Sequence, residues 1–143
     1  MYDYNCNELE NDIQNLAQQA KNFQADTILA IARGGLIPAQ LLAYDLDIRH
    51  LQSVQIQSYD KQTQRDTLTM LDTTDLRHAS RVLIIDDIID SGDTMQYLLL
   101  HVKKKYPHIE FKVASLFYKK SALIQPDFTC KEAMEWINFF WEV

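Results

Sequence analysis

Apolar residues in the first third of the chain recur at spacings that predict a helix, a strand and a second helix. Residues 8–23 place apolar side chains three and four positions apart, which predicts an amphipathic helix; these are Leu9, Ile13, Leu16, Ala20 and Phe23. Residues 27–32 form a short apolar run that ends at Arg33-Gly34-Gly35, as expected of a buried strand that leads into a loop. Pro38 suits the first turn of a helix that continues to about Tyr44.

The rest of the chain repeats this alternation of strand-like and helix-like segments. Residues 54–57 alternate apolar and polar side chains, residues 82–85 and 112–118 are apolar enough for buried strands, and a helix is predicted from about 94 to 105. Residues 58–75 are polar and lack a firm period, which predicts a long loop or a flexible hairpin. Unstructured segments of this length in compact domains are often functional.

Strands that alternate with helices predict an α/β fold with a mostly parallel, twisted sheet flanked by helices. The 143 residues contain no repeat or linker, so a single domain over residues 1–143 is expected. Ligands of such sheets bind outside the carboxyl ends of the strands. Both Arg33-Gly34-Gly35 and the segment 86–94 follow apolar strands and are predicted to lie at that edge.

Composition narrows the class of partner. The net charge of −6 argues against a protein that coats nucleic acid, which normally has a basic surface. No apolar run approaches the ~20 residues of a membrane-spanning helix, so no integral membrane association is expected. The N-terminal residues lack the pattern of a signal peptide. Cys6 and Cys130 lack the CxxC spacing and are interpreted as free thiols of a reducing compartment, so a cytoplasmic location is predicted.

The segment Val82 to Thr94 carries the strongest chemical signal. Asp86 and Asp87 are adjacent carboxylates at the end of an apolar strand, where a metal ion or a pair of sugar hydroxyls would relieve their repulsion. Ser91-Gly92-Asp93-Thr94 then opens a helix, whose free amides and hydroxyls can bind a phosphate. Together they indicate a ribose 5-phosphate site. The alternative is a strand with acidic ends followed by a capped helix, since Asp, Ser and Thr all cap helices well.

This segment resembles the phosphoribosyl diphosphate signature of the type I phosphoribosyltransferase family, in particular its bacterial xanthine-guanine branch. That signature is an apolar strand, two acids, two apolar residues and Asp-Ser/Thr-Gly-x-Thr. Further pieces match over most of the chain, namely residues 32–38, 47–50, 58–60 with Arg65, 117–119 and 136–137. The resemblance implies a sheet with a flexible lid at about 58–75, a small C-terminal hood at about 120–143, and self-association as a homodimer or homotetramer.

The resemblance also implies how phosphoribosyl diphosphate binds with Mg²⁺ as cofactor. Arg33, Gly34 and Gly35 would surround the diphosphate, with a cis peptide at Ala32–Arg33, and Arg65 would reach it from the lid. Asp86 and Asp87 would bind the ribose hydroxyls, with Asp87 contacting the metal. The donor-binding residues run through Ile88, Ile89, Asp90, Ser91, Gly92, Asp93 and Thr94. Asp93 stands where glycine or a basic residue is often found, so its side chain must point away from the phosphate.

A purine is the acceptor that the resemblance implies. Asp90 would act at N7 as the catalytic base or as an acceptor that orients that nitrogen, and Lys119 would donate to a 6-oxo group, although Lys120 is adjacent. Trp136 would stack on the base, with the Ile137 carbonyl near the 2-position; the alternative for Trp136 is ordinary hood packing. The rival functions are a phosphoribosyltransferase for another base, a nucleotide-sensing regulator that binds RNA, and an inactive relative that only binds ligand.

Overall fold

The computed structural model describes the backbone of residues 1–61 and 64–143 and the side chains of all but residues 58–67 within them. Eight strands and three α-helices are assigned in these ranges. The strands are β1 Tyr2–Tyr4, β2 Thr27–Ala32, β3 His50–Lys61, β4 Gln64–Leu71, β5 Arg81–Ile89, β6 Glu110–Tyr118, β7 Phe128–Glu132 and β8 Ile137–Phe139. The helices are α1 Cys6–Ala20, α2 Leu36–Asp45 and α3 Asp93–Lys105, with a short 3-10 helix at Lys21–Phe23.

A six-stranded sheet forms the centre of the fold, in the order β4-β3-β2-β5-β6-β7. Strands β2, β3, β5, β6 and β7 pair in parallel, and β4 pairs antiparallel with β3. The predicted α/β class with a mostly parallel sheet is therefore confirmed. Of the two structures predicted for the polar segment after residue 57, the backbone adopts the hairpin, formed by β3 and β4.

Helices cover both faces of this sheet, because alternate strand residues point to opposite sides. On one face α1 and α2 pack on residues that include Ile28, Leu83, Ile85 and Leu116. On the other face α3 packs on residues that include Leu29, Ile31, Ile84 and Val113. No helix in the described ranges is long and apolar enough to cross a membrane.

Local chemistry explains where the first two helices begin. Asn5 accepts a hydrogen bond from the Glu8 amide, and the Glu8 carboxylate accepts one from the Asn5 amide, each at 3.0 Å. This reciprocal capping box starts α1 two residues earlier than its apolar period indicates. Pro38 lies in the first turn of α2, where its missing amide proton is not needed. The apolar period of residues 8–23 covers both α1 and the 3-10 helix that follows it.

Strand β5 is longer than its apolar core of residues 82–85. Its pairing with β6 continues through Asp86 opposite Ser115 and through Ile89 opposite Tyr118. The two acids therefore lie on the strand and not in the turn after it, which corrects the boundary expected from the sequence. The polar residues stay in the strand because β6 keeps supplying backbone hydrogen-bond partners on that side.

Candidate active site

Three parallel strands bring the predicted functional segments to one edge of the sheet. The turn Arg33-Gly34-Gly35 follows β2, the acidic segment ends β5, and Lys119 follows β6. A cavity of about 710 Å³ at this edge is lined by residues from the first turn, from β5 and from the C-terminal segment, namely Arg33, Gly34, Leu36, Ile37, Asp87, Trp141, Glu142 and Val143. The first turn and the acid pair, which are far apart in sequence, thus share one site.

A second, smaller cavity of about 160 Å³ lies beside the first. It is lined by Ile88, Asp90, Lys119, Glu135, Trp136, Ile137, Phe139 and Glu142. These include all four residues predicted from the sequence for the purine site. Glu142 lines both cavities, so the two form adjacent parts of one cleft.

The first turn presents an arginine and backbone amides to the larger cavity. The peptide bond between Ala32 and Arg33 is cis, as expected from the sequence, and Arg33 is exposed. The Gly35 amide donates to the Ile31 carbonyl at 2.8 Å, which closes the turn at the start of α2. A guanidinium beside a helix N-terminus is suited to an anion that carries several oxygens.

Asp87 is buried, Asp86 beside it is partly buried, and neither acid has a positive partner among the described side chains. Burial raises the pKa of Asp86 well above its usual range, and the neighbouring Asp87 carboxylate raises it further. Burial also raises the pKa of Asp87, and the charge of Glu142 contributes to this shift. Among the described residues, no Lys, Arg or His forms a salt bridge with either acid. A bound cation would favour the charged form of both groups.

These acids fit a magnesium site of the kind that uses few protein ligands. The Asp86 carboxylate accepts a hydrogen bond from the Asp87 amide at 2.9 Å, and Asp87 accepts one from the Ile88 amide at 2.7 Å. Each acid thus accepts one backbone amide, and the two carboxylates also interact with each other, an arrangement that a shared cation would stabilise. Within the described residues no group of three or more potential ligands converges on one point. Mg²⁺ commonly binds through one or two carboxylates together with substrate phosphates and water, so the donor set suits it.

Residues 91–94 form the turn that begins α3. Gly92 has a φ of 88°, a conformation that residues with a side chain rarely adopt, and it precedes the first helical residue, Asp93. The Asp93 amide donates to the Ser91 hydroxyl at 3.2 Å, while the Leu123 amide donates to the Ser91 carbonyl at 2.8 Å. The turn is therefore held from two sides, and the first amides of α3 have no partner within the helix. The Asp93 side chain is exposed.

Lys119 and Asp90 contact each other in the smaller cavity. The Lys119 Nζ lies 2.7 Å from Asp90 Oδ1, whereas the Lys120 Nζ lies 3.6 Å from Glu132 Oε2. The two lysines thus point to different places, although both follow the end of β6 and strand alternation does not act on them. Both Lys119 and Asp90 are substantially exposed, so their ion pair stabilises the fold little and a ligand can displace it.

Trp136 lies at the mouth of the smaller cavity with 72% of its surface exposed. Its indole is therefore not part of the packed hood, which was the alternative interpretation from the sequence. Ile137 is buried at the wall of the same cavity, whereas Ile89 is buried in the core on the face of the sheet that α3 covers. The predictions for Arg65, Ser58 and Tyr59 concern side chains outside the described set and stay predictions.

A family model for the phosphoribosyl transferase domain matches residues 5–143. The chain belongs to this family. The resemblance to type I phosphoribosyltransferases, inferred from residues 82–94 and the matching pieces around them, is thereby confirmed.

Within this family, the chain is similar to phosphoribosyltransferases that are named for purine bases. It is 34% identical over 119 residues to the xanthine-guanine phosphoribosyltransferase of Idiomarina loihiensis, which covers 81% of this chain and 70% of that protein. The structure of the Helicobacter pylori xanthine-guanine-hypoxanthine phosphoribosyltransferase superimposes with a TM-score of 0.92 at 30% identity, covering 99% of this chain and 94% of the other. The purine phosphoribosyltransferase of Pyrococcus horikoshii gives 0.87 at 32% identity, covering 99% and 93%.

Glu142 is a residue of the cleft that sequence reasoning missed. It stands near the end of an aromatic-rich tail and belongs to no recognisable motif of the phosphoribosyltransferase signature. Only the fold brings it between the two cavities, where it contributes to the raised pKa of Asp87. An isolated acid in the C-terminal tail gives no sequence signal that could have identified it.

Proposed function

We propose that this phosphoribosyltransferase transfers the 5-phosphoribosyl group of phosphoribosyl diphosphate to a 6-oxopurine base in purine salvage. A bond forms between a ring nitrogen of the base and C1′ of the ribose, the bond from C1′ to the diphosphate oxygen breaks, and pyrophosphate leaves. The base also loses its ring proton. The observation that carries this proposal is the pair of adjacent cavities, one lined by Arg33 and Asp87 and the other by Asp90, Lys119 and Trp136.

The donor would occupy the larger cavity and the neighbouring turn. Arg33 and the amides of the first turn bind the diphosphate, and residues 91–94 bind the 5′-phosphate at the N-terminus of α3. Asp86 and Asp87 would bind the ribose hydroxyls, and Asp87 would hold Mg²⁺. The chemistry that Mg²⁺ would supply there is neutralisation of the charge that develops on the departing diphosphate. Arg65 adds a further positive charge from the hairpin.

The base would occupy the smaller cavity. Asp90 accepts a hydrogen bond or a proton at N7, and Lys119 exchanges its contact with Asp90 for the 6-oxo group, where adenine would present a donor instead. Trp136 stacks on the ring. The Trp136 carbonyl accepts from the Tyr2 amide at 2.8 Å, and successive carbonyls of a strand point to opposite edges, so the Ile137 carbonyl is directed away from β1. It is therefore free to accept from a 2-substituent.

Nucleotide formation is the direct test. The protein is incubated with phosphoribosyl diphosphate, Mg²⁺ and guanine, xanthine, hypoxanthine or adenine in separate reactions, and the nucleotide is separated by chromatography. Product is expected with at least one 6-oxopurine and not with adenine. Absence of product with all three 6-oxopurines would refute the proposal, and product with adenine alone would reassign the base. Light scattering of the same sample tests the predicted dimer or tetramer.

Asp90→Asn tests the role of the acid at the base. The amide cannot take a proton, so kcat is expected to fall by about 100-fold or more, while the affinity for phosphoribosyl diphosphate stays near that of the wild type. Asp75→Asn is the matched control, because Asp75 is an exposed acid whose partner is Arg77. A kcat for Asp90→Asn equal to that of Asp75→Asn would remove Asp90 from the proposed role.

A further inference from the structure

Strand β8, which directly follows Trp136 and supplies Ile137 to the base cavity, does not belong to the central sheet. Its only strand partner in the described ranges is β1, with Tyr2 opposite Ile137 and Tyr4 opposite Phe139. The Tyr2 amide also donates to the Trp136 carbonyl at 2.8 Å. The wall of the cavity formed by β8 is thus positioned by the N-terminal strand and not by the strands that carry Asp90 and Lys119.

Strand β1 is in turn fixed by the side chain of Tyr4, which is 1% exposed. Its ring packs edge-on against Phe117, Phe139 and Trp141, with centroids 5.1, 5.7 and 6.1 Å away. Its hydroxyl donates to Asp12 Oδ2 on α1 at 2.6 Å. Burial raises the pKa of Tyr4 far above its ordinary value and the bond to Asp12 adds to this, so the phenol remains a donor throughout the physiological range.

Lys131 on β7 completes the cluster and connects it to the central sheet. Its Nζ lies 3.2 Å from Asp12 Oδ2 and 5.2 Å from the centre of the Tyr4 ring. Burial alone would lower the pKa of Lys131, but its contact with Asp12 outweighs that and raises it. The Asp12 carboxylate is therefore the point at which β1, α1 and β7 meet. Because Asp12 is only 7% exposed, removing its charge leaves Lys131 with a single acidic partner among the described residues, Glu8, whose Oε1 is 3.5 Å from Nζ.

We propose that Tyr4, Asp12 and Lys131 are positioning residues for the purine base. They line neither cavity, although Tyr4 packs against Trp141 of the larger one, and they set the distance between β8 and the edge of the sheet. The base cavity is small, about 160 Å³, so a shift of β8 by a fraction of an ångström changes how Trp136 and Ile137 meet the base. This inference rests on the proposed function for its kinetic part and on the fold alone for its structural part.

The kinetic test is the Asp12→Asn variant, with Asp75→Asn as the control for the loss of one carboxylate. For Asp12→Asn, we expect KM for the purine base to rise by about tenfold, the effect of losing roughly one well-formed polar interaction. The KM for phosphoribosyl diphosphate should stay within about twofold of the control, because Arg33 and Asp87 lie on other elements. Equal rises in both KM values, or an unchanged KM for the base, would overturn the proposal.

Two further variants separate positioning from loss of folding. Tyr4→Phe removes only the hydroxyl and leaves Asp12 paired with Lys131, so this variant should stay folded. The KM for the base is again expected to rise selectively, but by less than in Asp12→Asn. The double variant Asp12→Asn/Lys131→Met carries no unpaired buried charge and is expected to recover most of the affinity lost in Asp12→Asn. If the double variant binds the base no better than Asp12→Asn, charge balance in the cluster does not position β8.

Hydrogen exchange tests the structural part without any enzymatic activity. Amides of residues 137–139 should exchange about tenfold faster in Asp12→Asn than in Asp75→Asn, since the pairing of β1 with β8 is weakened. Amides of β5 should be unchanged. If the wild-type protein makes no nucleotide, the proposed function fails while this measurement still decides whether the cluster positions β8. Unchanged exchange at β8 would overturn the inference whatever the activity.

Discussion

The substitution Gly34→Ala should disable the donor site while leaving the fold in place. A Cβ at Gly34 would lie 2.3 Å from Asp87 Oδ2 and 2.5 Å from its Cγ, about 1 Å or more inside ordinary van der Waals contact. Asp87 is 7% exposed and accepts a hydrogen bond from the Ile88 amide at 2.7 Å, so its carboxylate cannot move without losing that bond. The alanine therefore displaces the acid that we assign to the metal and the ribose.

The size of the effect follows from that displacement. Misplacing a substrate-binding group by about 1 Å can cost about 100-fold in rate, so kcat/KM for phosphoribosyl diphosphate should fall by roughly that factor. The cost in folding free energy is smaller, about 1–3 kcal/mol for the disturbed hydrogen bond of Asp87. Gly35→Ala should instead lower the stability of the fold. The new Cβ would lie 2.5 Å from the backbone oxygen of Ile85 and 2.8 Å from that of Ile31, and both residues lie in central strands.

The assay combines initial rates with thermal unfolding. Rates of nucleotide formation are measured against phosphoribosyl diphosphate at a saturating base concentration, and Tm is measured for the same samples. Gln40→Ala, on the exposed side of α2, is the control for a substitution in this helix. A Gly34→Ala enzyme within about threefold of the control would refute the assignment of Asp87 to the donor site. A Gly35→Ala protein with an unchanged Tm would refute the steric argument.

Two other predictions concern the base cavity and the thiols. Lys119→Met should raise KM for a 6-oxopurine by about tenfold or more, because the 6-oxo group loses a charged donor. Lys120→Met loses only a contact with Glu132 and should leave that KM within about twofold. Equal effects of the two variants would contradict the assignment of Lys119 to the base. Burial raises the pKa of Cys130 to about 12, so its thiol stays protonated at pH 8. Iodoacetamide should therefore modify exposed Cys6 much faster than partly buried Cys130, as peptide mass spectrometry would show. Alkylation of both thiols at the same rate in the native protein would contradict this difference.

Sequence reasoning worked where the signal is local. The strand at residues 27–32, the first helix and the helix after residue 92 follow from apolar spacing, because one buried face of each element imposes its period on the chain. The donor signature at residues 86–94 is also local, since one strand end and one helix start supply all of its groups. The match to the phosphoribosyl transferase domain confirms the family that this segment indicated.

The element boundaries depended on partners that the local pattern does not contain. Strand β5 extends past Ile85 because β6 pairs with Asp86, Ile88 and Ile89, although acids are unfavourable in isolated strands. Strand β3 likewise begins at His50 because β2 pairs with it from that residue onward. The sequence predicted the hairpin of β3 and β4 only as one of two alternatives, because its polar residues show no firm period.

By itself, the sequence determined the fold class and indicated a ribose phosphate site at residues 86–94, because those residues are neighbours along the chain. The tertiary structure decided which lysine lines the smaller cavity, since Lys119 and Lys120 differ only in direction. It also decided that Glu142 lies between the two cavities and that β1 pairs with β8. The pairing of β1 with β8 joins segments more than one hundred residues apart, and no periodicity along the chain encodes that pairing or the position of Glu142.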